Sequence, residues 1–97
     1  MKHQYLDFIT VDVSHLAPPE PMTVILNHLA KLNQQECLLV KHRRQPFPLY
    51  EKLTSAGFLY YCEVHTLHNI DLYIFYQQDQ HLFNEFLEDK NISKGGC

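Results

Sequence analysis

The chain predicts an α+β fold: a two-layer sandwich of order strand-helix-strand-helix-strand-strand, with a mixed four-stranded sheet, both helices on one face, and an extra C-terminal helix. Three observations predict it. A run of period two at Tyr5 to Val13, a run of helical period at Met22 to Leu32 and the short apolar stretch Cys37 to Val40 follow one another, which is the order of a right-handed parallel crossover. Two more β-rich runs, Phe58 to Leu67 and Ile70 to Gln77, are separated only by His68-Asn69, as in an antiparallel hairpin. Prolines stand ahead of both helical runs, at Pro18, Pro19 and Pro21 and at Pro46 and Pro48, where a first turn tolerates a missing N–H.

Each element has its own warrant. In the first strand Ile9, Val11 and Val13 share one face, opposite Phe8, Thr10 and Asp12. In the first helix Met22, Ile25, Leu26, Leu29 and Leu32 make the apolar stripe, and Thr23, Asn27, Ala30 and Lys31 face out. Asn33-Gln34-Gln35 turns the chain into the second strand, Glu36 to Lys41, whose uninterrupted apolar centre predicts a central position. Leu49, Leu53 and Ala56 mark a second helix stopped by Gly57, which suits a left-handed cap. In the hairpin Ile70, Leu72 and Ile74 point to the core, leaving Tyr61, Tyr73 and Phe75 on the other sheet face. Asp79 is placed to cap a last helix striped by Leu82, Phe83, Phe86 and Leu87. That helix either covers the aromatic face or leaves it for a homodimer or a protein partner. The domain is therefore assigned to residues 1–78, the amphipathic helix to 79–90 and a disordered tail to 91–97.

Composition excludes several classes. A chain of 97 residues supports one core, burying roughly 60–65% of the unfolded surface. With 45% hydrophobic and 20% charged residues it is an ordinary globular chain. A net charge of −3 and a pI near 6.1 offer no basic footprint, so no nucleic acid is expected as a partner. No apolar run reaches the ~20 residues of a membrane span and no secretory signal opens the chain, so no membrane partner and a cytoplasmic location are expected. Cys37, Cys62 and Cys97 are odd in number and widely spaced, as reduced thiols are.

The candidate site is the edge where the two parallel strands end. His15 follows the first strand, His42, Arg43 and Arg44 follow the second, and Glu20 opens the first helix. Two helix N-termini converge there, and such ends attract anions through free N–H groups and their dipoles. Arg44 would fork onto a carboxylate or phosphate while His42 donates or accepts a proton, so the expected ligand is a small anion or an acidic group of a protein partner. The competing account is a solvated polar loop. Glu20 with His15 or His42 is an acid/base pair without a nucleophile, so catalysis is not expected. His15 with His42, or His65 with His68, are the candidate metal pairs, but no second Cys/His pair has ligand spacing, and neither a metal nor a cofactor is expected.

The run Val11-Asp12-Val13-Ser14-His15-Leu16-Ala17-Pro18-Pro19-Glu20-Pro21-Met22 resembles the signature of the TusA/SirA family of small sulfur-carrier proteins, Leu-Asp-x-Arg-Gly-x-x-Cys-Pro-x-Pro. Asp12, Pro19 and Pro21 match it. Pro18 stands where the family carries its persulfide cysteine, and Ser14 and His15 replace Arg-Gly. The Pro-Pro-Glu segment, with His42-Arg43-Arg44-Gln45-Pro46-Phe47-Pro48-Leu49-Tyr50, is similar to a cysteine-less branch of that fold described only as a domain of unknown function. The resemblance, from about Tyr5 to Tyr76, implies a bacterial-type TusA-like domain that binds without carrying sulfur. The alternatives are a sulfur relay through Cys62 or Cys97, and an interaction module built on the aromatic face and tail helix.

Overall fold

The parallel crossover forms as the residue pattern requires. In the computed structural model, which describes residues 5–89, strand β1 (Asp7–Asp12) lies parallel to β2 (Glu36–His42), with Ile9 opposite Leu38 and Asp12 opposite Lys41. Helix α1 (Glu20–Leu29) joins them. Helix α2 (Phe47–Ser55) leads into the hairpin of β3 (Phe58–Thr66) and β4 (Asn69–Tyr76), and a single turn leads into α3 (Gln80–Asp89). The sheet order is β1-β2-β4-β3, which puts β2 and β4, the most apolar strands, in the centre. The α+β class, the element order and the mixed four-stranded sheet follow the expectation.

Two cores form, one on each sheet face. Ile25 and Leu29 of α1 and Leu49 and Leu53 of α2 pack with Leu38, Val40, Leu72 and Ile74 on the first face. On the second face Leu82 and Phe83 of α3 pack with Leu6, Cys37, Tyr73 and Phe75. Phe75 and Phe83 are stacked at 4.3 Å between ring centroids. Helix α3 therefore occupies the aromatic face, the first of the two alternatives that the sequence left for it. Burying Phe83 is worth about 1.5–3 kcal/mol, to which the other side chains of this core add.

Boundaries depart from the expectation for local reasons. The Lys31 and Leu32 amides bond to His28 and Leu29, each at 3.1 Å, so the chain tightens after Leu29 and Leu32 is buried from outside the helix. Leu26, expected in the apolar stripe, is exposed; Pro21, Ile25 and Leu29 carry it at i, i+4 spacing. The hairpin loop is Leu67-His68, since Thr66 pairs with Asn69, and His65 is an extra residue between the Val64–Ile70 and Thr66–Asn69 pairs. Asp79 does not serve α3 as the expected cap: it is buried and accepts a 2.6 Å hydrogen bond from the Gln35 N–H, bracing a residue held at φ +67°. Gly57, at φ +91°, ends α2 as expected. The call of a disordered tail at 91–97 lies outside the described residues. Among those described, no helix is long and apolar enough to cross a membrane.

Candidate functional site

Both helix entrances on the first face carry the same pattern, Pro19-Glu20-Pro21 and Pro46-Phe47-Pro48, with a proline as the N-cap and another at the second helical position. An α-helix normally leaves four N–H groups free at its start. Here Pro19, Pro21, Pro46 and Pro48 have none. Glu20 bonds to Ala17 at 3.0 Å, Phe47 to Gln45 at 3.0 Å and Leu49 to Pro46 at 2.8 Å. Of the N–H donors that a pair of helix starts would offer an anion, only that of Met22 remains without such a bond.

What the prolines build is a groove of about 320 Å³, walled by Pro18, Pro19, Pro21 and Met22 on one side and by Gln45, Pro46 and Pro48 on the other, with His42 and Arg44 completing it. Its size falls within the usual range of small-molecule sites. Tyr50 braces the α2 side: its hydroxyl donates to Gln45 Oε1 at 3.1 Å, and its ring stacks on Tyr60 at 4.0 Å.

His42 is the polar centre of the groove. It ends β2 on the core face and is 9% exposed. Its Nδ1 accepts from the Arg43 N–H at 2.9 Å and from the Arg44 N–H at 3.3 Å. An acceptor at Nδ1 puts the ring proton on Nε2, where no protein partner is found among the described residues. Burial first, then the Arg44 and Arg43 guanidinium charges, hold its pKa below the usual 6.5. The ring is thus a neutral, oriented N–H donor. A metal at Nε2 would drive the ring proton onto Nδ1, against the two amide N–H groups donated there, which disfavours the His15–His42 metal pairing.

Of the five expected site residues, the structure brings two, His42 and Arg44, to the groove. Arg43 faces a neighbouring depression with Asp12, Ser14, Lys41, His68 and Asn69, which His42 also touches. His15 and Glu20 are exposed and line neither. Gln45 and the proline rings were missed as lining; the repeated Pro-x-Pro spacing was the signal for them. A second polar cluster, Glu63, His65 and Asp71, lies on the other sheet face, and the His65–His68 pairing considered from sequence is replaced by it.

Of the two thiols of the sulfur-relay alternative, only Cys62 is among the described residues, and it is buried. Cys37 is fully buried and its pKa is pushed up by burial to about 12, against a small lowering from the Ile74 backbone. Cys62 is 4% exposed inside the first core, and Cys97 lies outside the described residues. A thiol that neither ionises nor meets solvent is no carrier.

Fold and groove together define a small α+β domain, with two proline-capped helix entrances facing across the end of a parallel strand pair. The chain belongs to the family of uncharacterized conserved proteins DUF2249, which matches residues 10–74, well over half of its length. No curated protein and no solved structure matches it. The assignment to TusA/SirA, its cysteine-less branch included, is overturned by this match, and with it the TusA-like anion-binding function. Its carrying residues, an aspartate ending a strand and a Pro-x-Pro opening a helix, are what any tight strand-to-helix entrance demands.

Proposed function

We propose that this chain is a cytoplasmic small-ligand-binding protein whose proline-walled groove takes a flat, apolar molecule bearing one hydrogen-bond acceptor. The observation that carries the reading is His42: a buried imidazole held neutral, with Nδ1 engaged by two backbone amides and Nε2–H left for a ligand. Proline rings and the Met22 side chain offer apolar contact on both sides, and such a site gains affinity from area and orientation from its single donor. Cys37 and Cys62, present as thiols and not as a disulfide, support a reducing compartment. The reading is of binding without catalysis, because no nucleophile lines the groove.

Titration of labelled protein with benzamide and, separately, with inorganic phosphate tests it. Benzamide is expected to shift the amides of Met22, His42, Arg44 and Gln45, and phosphate to shift none of them. His42→Asn keeps an acceptor for the two amides but removes the outward donor, and is expected to weaken benzamide binding by about fivefold, the worth of one neutral hydrogen bond. Shifts with phosphate alone, or none with millimolar benzamide, would reject the reading.

A further inference from the structure

On the second sheet face, beyond the reach of α3, register alone lines up a charged row. Asp12 of β1 sits opposite Lys41 of β2, Lys41 opposite Asp71 of β4, and Asp71 opposite Glu63 of β3. Two carboxylates directly across a strand pair repel each other. The sheet nonetheless brings a third ligand to them: the extra residue at His65 is a bulge, a device that re-aims a side chain, and His65 Nε2 stands 2.9 Å from Asp71 Oδ2 and 3.8 Å from Glu63 Oε1. All three ligand atoms lie within 4.8 Å of one another.

We propose that Glu63, His65 and Asp71 bind a first-row divalent metal ion. Ligand atoms about 2.1 Å from a tetrahedral ion stand roughly 3.4 Å apart, so only Glu63 and His65, both partly exposed, need to turn. Glu63 has the outer-shell support that metal ligands require, while Asp71 is held by a cation that the metal would have to displace. The buried Tyr73 hydroxyl hydrogen-bonds Glu63, and Lys41 Nζ lies 3.0 Å from Asp71 Oδ1. Asp71, whose side chain is only 10% exposed, thus holds Lys41 at Oδ1 and His65 at Oδ2. A cation between the two carboxylates relieves their repulsion. One nitrogen and two oxygen ligands suit zinc, manganese or iron, and three protein ligands leave water positions open. The ion takes the Nε2 lone pair of neutral His65, whose ring proton then sits on Nδ1, so protons compete with the ion as pH falls.

Zinc titrated into the full chain by calorimetry is expected to bind at one equivalent. His65→Ala, at an exposed position, is expected to weaken it at least about tenfold; Lys41→Met, which removes the competing ammonium, to tighten it. Cobalt is expected to broaden the amide signals of residues 63–65 and 71 first. Glu63→Gln gives a second ligand variant, and the thermal melt of each variant verifies folding. Absence of binding, binding unchanged in folded His65→Ala, or broadening centred on His15, His28 or His81 would overturn the site.

Discussion

His42 shows how the fold gives one side chain a state its type does not specify. An exposed histidine would accept a proton near pH 6.5, but here burial and the Arg44 and Arg43 charges disfavour the proton and two amides occupy Nδ1. Linkage then has a definite sign. Above pH 6.5 the folded and unfolded states both hold neutral His42. Below it the unfolded chain takes up a proton that the fold refuses, so stability falls with pH, by at most about 1.4 kcal/mol per unit from this group. Asp71 acts in a separate window. Burial pushes its pKa up, but the His65 and Lys41 contacts outweigh this and hold it below 3.8, so its stabilisation is lost only as pH falls further, through that lowered value. Urea midpoints measured between pH 8 and 5 are expected to decline for the native chain and to decline less for His42→Asn. Equal slopes would remove His42 as the cause.

At the scale of elements, the two Pro-x-Pro entrances do the same work twice. Each starts a helix by fixing φ and each removes the donors that ordinarily make a helix start polar, so a pair of them makes an apolar groove. The sequence pattern made the entrances legible, yet the same helix starts suggested an anion site because they were credited with free N–H groups that their prolines lack. Gly57 is the clearest element-level test. A Cβ there meets no atom within 4 Å, so the φ of +91° alone resists substitution. Gly57→Ala is expected to cost about 1 kcal/mol, read from chemical denaturation. A neutral effect would mean that the α2–β3 turn relaxes freely.

For the whole molecule, the sheet separates two sites. The helix-covered face ends in the proline groove, and the α3-covered face ends in the charged row, with Lys41 and His42, adjacent in β2, pointing to opposite sides. Helix α3 is needed because the second face presents Tyr73 and Phe75, each 3% exposed when it is in place. A chain ending at residue 79 is expected to self-associate at micromolar concentration by sedimentation velocity, since an apolar patch of that kind seeks cover. A monomer of unchanged stability would show that α3 contributes little to the core.

The sequence by itself determined the element order, the sheet composition, the central place of β2 and the stop at Gly57, because periodicity, proline and glycine act within a few residues. It also brought His42 and Arg44 to attention through their place after a strand. Only the tertiary structure decided which side chains meet. The pairing of Asp71 with Glu63 depends on hairpin register, the reach of His65 on one extra residue, and the engagement of Asp79 on a turn distant in sequence. Contacts between remote residues follow from packing and register, which no local pattern encodes.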